Sequence, residues 1–363
     1  MTLAVIIDTN IWVANPLLNS PLGSAFLFEV ERLGGRVVLP EVVEREVHKH
    51  TLRLVAEARE SIARAYGIVS VIMGGRDDYQ VPTDEEVQAR VRTRLGELNH
   101  LIERVPLTLD HSSRALTRVL EDRLPNSPKN QQFKDSLLWE CAIDQGVTTD
   151  LHLVSSDTAF FENRKYDQGM ASELRAECAA AGATIHLHQS VDAMLQMTRD
   201  GQPPFDATAV VEAIQSVVLE EANSIAARKG IRLSHVVGRD VEAYVTQQYG
   251  QLAVKYHFVC TANLNSPEGP TGVSSDLVNL SGSATFKVAD QSATDVMLND
   301  LEFLRNGVEP APDRSERRVF ASASIFLGRG TVPHQYRAPV PVQLPVTGRP
   351  AAAGEQPDDP VGA

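Results

Sequence analysis

The stretch Leu3-Ala4-Val5-Ile6-Ile7-Asp8-Thr9-Asn10 decides how the chain is read. Five apolar residues in a row leave no polar face, which suits a strand covered on both sides, as in a parallel sheet. The run stops at an ionisable Asp8. In an α/β sheet the carboxyl end of a buried strand opens onto the crevice where ligands bind, so an acid there is held by rigid backbone and still meets solvent. Leu153-Val154 followed by Ser155-Ser156-Asp157 repeats the arrangement, and the two acids point the same way if their strands are parallel neighbours.

Two further acids fall on segments with helical spacing. Pro40 suits a first helical turn, where its missing N–H costs nothing, and Val43, Val47 and Leu54 follow at helical intervals, which places Glu46 early in that helix. Asn130-Gln131-Gln132 reads as a polar loop, after which Asp135 opens a helix carrying Leu137, Leu138, Cys141 and Ala142 on its apolar side. The helix dipole favours a carboxylate at that end. Taken singly, Asp135 caps a helix, Glu46 is a solvated acid and Asp157 begins a turn. Taken together, four acids in these settings suggest a site for a hard divalent cation such as Mg²⁺ or Mn²⁺, which prefers carboxylate and water oxygens. Cys141, Cys178 and Cys260 form no C-x-x-C pair and read as reduced thiols with no zinc site. His48 and His50 read as solvated helix residues, and His186 and His188 as residues sharing one strand face, rather than as metal ligands.

These contexts resemble the PIN-domain nucleases, metal-dependent enzymes that cut RNA. The resemblance rests on the strand ending in Asp8-Thr9-Asn10, the step from Val43 through Glu46 to Val47 after Pro40, Lys134-Asp135 at a helix start, and Ser155-Ser156-Asp157 before Phe160 and Phe161. It spans about residues 1–198. It implies an α/β PIN-like domain whose central parallel sheet is flanked by helices, with Asp8, Glu46, Asp135 and Asp157 converging on one or two Mg²⁺ or Mn²⁺ ions. Asp8 and Asp157 are then expected as direct ligands, with Asp135 and Glu46 ligating or orienting water. Thr9, Asn10, Ser155, Ser156, Lys129 and Lys134 are expected near the substrate. The implied reaction is hydrolysis of a phosphodiester to a 5′-phosphate and a 3′-hydroxyl. The long stretch between Glu46 and Asp135 exceeds what small toxin-type members carry and reads as a helical insertion in a larger, bacterial type. Glu41 and Glu44 lie close enough to Glu46 to compete for its place.

Lys+Arg 34 against Asp+Glu 47 gives a net charge of −13, so a strongly basic nucleic-acid footprint is absent. Local cations remain near the acids: Lys129, Lys134, Arg164 and Lys165. A chain of 363 residues with 43% hydrophobic content fits two domains and no membrane span, and the N-terminal apolar run is too short for a signal peptide; a cytoplasmic location is expected. Helices over 171–181 and 191–197 around a strand over 183–187 close a first domain at 1–200, and Gly201-Gln202-Pro203-Pro204 reads as a linker. Residues 205–336 read as a smaller α+β domain with an antiparallel sheet: helices over 210–227 and 241–249, then strands over 252–263 and 278–288, with 296–304 and 319–326 adding two more. Residues 265–270 join the first two of those strands. Tyr244, Tyr249, Tyr256, His257 and Phe258 form an aromatic-rich stretch that reads first as core and second as a base-stacking surface. Residues 337–363, rich in Pro, Ala and Gly, read as a disordered tail. The expected partner is nucleic acid, RNA before DNA, with a protein partner through the second domain, or a second copy of the chain, left open. Two rivals are weighed. In dehalogenase-type phosphatases a second Asp stands two positions after the strand-end Asp, where this chain has Asn10. A PIN fold that binds nucleic acid or docks a protein without cutting is the stronger rival.

Overall fold

The computed structural model describes residues 2–73, 81–197, 205–227, 231–264, 277–304, 318–321 and 325–326. The expected linker at 201–204, the connection at 265–270 and the tail at 337–363 lie outside the described residues.

The first half of the chain builds a five-stranded, all-parallel sheet in the order β3-β2-β1-β4-β5. Its strands are β1 (Leu3–Ile7), β2 (Arg36–Pro40), β3 (Ile102–Val105), β4 (Asp150–Val154) and β5 (Thr184–His188). The central strand β1 is buried from Ala4 onward, as a run without a polar face requires. It pairs with β4 in the register Ile7 to Val154, so the segments carrying Asp8 and Ser155-Ser156-Asp157 leave the sheet side by side at one edge. The Asp8 N–H continues the ladder by donating to the Val154 carbonyl at 2.9 Å.

Helices α1 (Thr9–Ala14), α2 (Pro21–Arg32), α3 (Glu41–Met73), α4 (Asp84–Glu97), α5 (Leu109–Leu120), α6 (Phe133–Thr148), α7 (Ser172–Ala181) and α8 (Val191–Met197) surround it. Their ends follow local chemistry. Ser20 caps α2 with Pro21 in the first turn, Thr83 and Glu86 form a reciprocal capping box on α4, and α7 stops at Gly182 in the left-handed region. Gly23 is required by a close approach, since a Cβ there would meet the Leu18 backbone at 2.7 Å. Pro40 proves to be the last residue of β2, and α3 begins one residue later at Glu41. The segment between Glu46 and Asp135 is not purely helical, because β3 returns to the sheet edge within it.

A ridge of paired charges ties α5, α6 and α7 together. Arg118 donates to Glu140 at 3.0 Å and to Glu177 at 2.7 Å, Trp139 Nε1 donates to Glu177 at 2.9 Å, and Arg123 reaches Glu177 at 2.6 Å. Arg118 and Glu140 are both buried, so their charges depend on one another for compensation.

The second core lies between α9 (Ala207–Ala227) and an antiparallel sheet. The long strands are β6 (Ile231–Val245), β7 (Gln251–Leu264), β8 (Leu277–Lys287) and β9 (Ser292–Leu304), with short β10 (Arg318–Ala321) and β11 (Ile325–Phe326) both pairing with β9. The helix expected over 241–249 is a correction: residues up to Val245 are the end of β6. Ala243 packs into the second core while Tyr244 and Ala253 belong to the first, so this end of the β6–β7 hairpin is covered on both sides. Gln247 donates to Glu31 of α2 at 3.1 Å, Gln196 of α8 donates to Glu242, and Lys255 pairs with Asp192, which seats the hairpin on α2 and α8. Tyr244, Tyr256 and Phe258 are fully buried and Tyr249 is exposed, so most of the aromatic stretch is core. No helix among the described residues is long and apolar enough to cross a membrane.

Candidate active site at the carboxyl edge of the parallel sheet

Four elements bring the four acids to one edge. Asp8 follows β1 and caps α1, with Oδ1 accepting from the Thr9 N–H at 2.6 Å and Oδ2 from Ser155 Oγ at 2.6 Å. The fully buried Ser155 hydroxyl also accepts from the Asp157 N–H at 3.1 Å, so one side chain spaces both strand-end acids. Asp157 caps the short helical turn Thr158–Phe160, its Oδ1 accepting from Ala159 N–H at 2.8 Å and its Oδ2 from Gln132 Nε2 at 2.7 Å. Asp135 stands in the first turn of α6. Glu46, on α3, accepts from Thr9 Oγ1 at 2.9 Å and pairs with the Lys134 ammonium.

The competing acids are engaged elsewhere. Glu41 accepts from the Leu107 N–H at 2.8 Å and from Arg45, and Glu44 meets Arg104 at 3.1 Å. Glu46 is thus the acid of that helical turn that faces Thr9.

The carboxyls act on one another. Burial pushes Asp8 up to about 6; the donations from Ser155 and Thr9 oppose the rise, and the charges of Asp157 and Glu46 add to it. Asp135 is pushed up to about 7, again mainly by burial, with Asp8, Asp157 and Glu46 adding and Lys134 opposing. Among the described residues no group donates a hydrogen bond to the Asp135 carboxylate, so its charge is the least compensated of the four. Such a site gains by admitting a cation. No three of the acids bring donor oxygens within 4.8 Å of one another. A magnesium-type ion that keeps several of its waters does not require that they do. The donor set fits such an ion: it is all oxygen, and the buried Asn10 Oδ1 and Gln132 Oε1 have no hydrogen-bond partner, which leaves acceptors for coordinated water.

The remaining expected residues divide. Thr9 and Ser155 orient acids as described, and Asn10 presents its free carbonyl oxygen. Ser156 accepts through its backbone carbonyl from Tyr166 Oη at 2.8 Å. Lys134 is bound to Glu46, and Lys129 is exposed in the loop before α6. Two contributors were not foreseen. Gln132, read only as loop polarity, holds Asp157, and Tyr166 lines a cavity of about 980 Å³ with Phe161, Arg164, Lys165 and His188 beside the Asp157 turn. The local cations Arg164 and Lys165 hinted at that cavity; nothing in the sequence marked Tyr166.

Residues 5–161 match the PIN domain family. The matched residues, from β1 to the turn after Asp157, are thus similar to a PIN domain, a family generally of nucleases. Among curated proteins and among solved structures, none matches the chain significantly.

Proposed function

We propose that the chain is a Mg²⁺- or Mn²⁺-dependent endoribonuclease whose Asp8, Glu46, Asp135 and Asp157 form the catalytic centre. The reading is carried by the mutual electrostatic coupling of these four carboxyls, which arrive from four separate elements of the region similar to a PIN domain. The cation, when bound, neutralises phosphoryl oxygens and lowers the pKa of a water. Asp8 and Asp157 would hold it from the rigid strand ends, where Ser155 donates to Asp8 Oδ2 and accepts from the Asp157 N–H. Asp135 and Glu46 complete the negative field and would ligate the ion or orient water in the site. Thr9 orients Glu46, and Gln132 orients Asp157. Lys134, paired with Glu46, would supply a phosphate contact when a divalent ion compensates the acids. Lys129, Arg164 and Lys165 supply further phosphate contacts in a chain whose net charge is otherwise unfavourable to RNA. The same proposal divides the chain into a nuclease domain over 1–200, an accessory α+β domain over 205–336 that selects a protein or RNA partner, and a tail over 337–363, in a cytoplasmic protein.

The test is cleavage of labelled single-stranded RNA and DNA by folded wild type and Asp8→Asn/Asp157→Asn, in Mn²⁺, Mg²⁺ or EDTA. RNA cleavage by wild type with metal, lost in the variant and in EDTA, supports the reading. A folded wild type that binds metal and cuts neither polymer sinks it in favour of a docking role.

A further inference from the structure

A second group of ligand-type side chains sits on the same sheet, along β4 and β5. The register pairs His152 with His186 and Val154 with His188, so Asp150, His152, His186 and His188 all project from one face of the β4–β5 pair. Donor atoms of Asp150, His152 and His186 lie within 4.8 Å of one another. Asp150 and His152 stand four and two residues before Val154, about 13 and 7 Å along the strand from its carboxyl end.

We propose that Asp150, His152 and His186 form a binding site for a zinc-class transition metal ion, distinct from the carboxylate centre. The donor chemistry sets the class: two imidazoles and one carboxylate suit Zn²⁺ and its neighbours, whereas the all-oxygen centre suits Mg²⁺ or Mn²⁺. His186 Nε2 and Asp150 Oδ1 are 2.9 Å apart. Two ligands on a tetrahedral ion with bonds near 2.0 Å stand about 3.3 Å apart, so a small opening of this pair admits the ion. His152 Nδ1 lies 2.9 Å from His188 Nε2, with the two rings nearly coplanar at 4°. With Nδ1 committed to His188, Nε2 is the ring nitrogen of His152 left for a cation, and His188 plays the outer partner that fixes the tautomer and orientation of a metal-bound imidazole. Burial lowers His152 from the ordinary imidazole range and takes His188 down to about 4. Asp150 and His186 are each nearly half exposed, which gives the ion an entry path and leaves a position for water. The ion would tie the edge strand β5 to β4, and through the Ser155 N–H bond to the His188 carbonyl at 2.9 Å the site adjoins the segment that spaces Asp8 and Asp157.

The experiment uses the full chain, stripped of metal and held in excess Mg²⁺ to occupy the carboxylate centre. It is titrated with Zn²⁺ by calorimetry and with Co²⁺ by visible absorption. One ion per chain is expected in wild type and in Asp8→Asn, with a rise in melting temperature. His186→Ala and Asp150→Asn, changes at half-exposed positions that leave the fold intact by circular dichroism, are expected to weaken binding about 10-fold or more. The proposal is overturned if wild type takes up no Zn²⁺ or Co²⁺ under these conditions. It is equally overturned if both variants bind as wild type does, or if binding disappears with Asp8→Asn and survives in His186→Ala.

Discussion

Two clusters of charge around the parallel sheet are built on opposite plans. On the α5–α6–α7 ridge every buried carboxylate has an intramolecular counter-charge, with Arg118 serving Glu140 and Glu177 and Arg123 adding to Glu177. At the carboxyl edge of the sheet, the ammonium paired with the four acids among the described residues is Lys134, on Glu46. The ridge is closed, and its charges hold helices together. The edge is open, and its surplus negative charge is a standing demand for a cation from outside. A sequence count of acids does not separate the two; the difference lies in which acids the fold supplies with partners.

Breaking the closed cluster should have the largest effect. Arg118→Ala leaves Glu140 and Glu177 buried with less compensation and should cost about 3–5 kcal/mol of stability, read by denaturant unfolding, with or without divalent metal. At the open cluster, Asp8→Asn should leave the fold intact and lower RNA cleavage at least about 100-fold, measured as initial rates in Mn²⁺.

The sign of the third effect distinguishes the clusters most sharply. Asp135→Asn removes a poorly compensated charge, so the metal-free protein should become more stable at pH 8, by roughly 1–3 kcal/mol. The same reasoning fixes a pH dependence. Asp8 and Asp135 titrate at about 6 and about 7 in the fold against 3.8 ordinarily, so between those limits the folded chain binds more protons than the unfolded one. Stability of the metal-free protein from these groups is therefore fully present below about pH 4 and falls as pH rises to about 7. Saturating Mn²⁺ displaces those protons, so the metal-induced rise in melting temperature should grow over the same window; a metal effect independent of pH would count against the ligand set. The smallest effect is expected for Ser155→Ala, which unties Asp8 from Asp157 without removing either acid and should lower cleavage about 10-fold.

Much of the first domain was legible because its central strands β1, β2 and β4 are buried on both faces and its helices are not. β1 reads directly from Leu3–Ile7, and the helix period around Asp135 and after Ala171 reads as cleanly. β4 was seen only at Leu153-Val154, because Asp150 and His152 break the apolar run on the face that carries the histidine cluster. β3 was missed for a related reason: Ile102–Val105 is an edge strand with two charged residues and little burial. In the second domain Val241, Tyr244 and Val245 fall at helical intervals, yet they lie on β6; where a sheet end is sandwiched between two cores, consecutive residues are buried and the period of two disappears. Of the proposed site, the acids were legible from their strand-end and helix-start contexts. Gln132 and Tyr166 were not, since their roles depend on where two loops meet.

The most direct test of the central claim is anomalous scattering from crystals of the full chain grown in Mn²⁺. The account predicts a manganese peak among Asp8, Asp135 and Asp157. Fully ordered acids with no manganese among them, or manganese only at Asp150, His152 and His186, would contradict it.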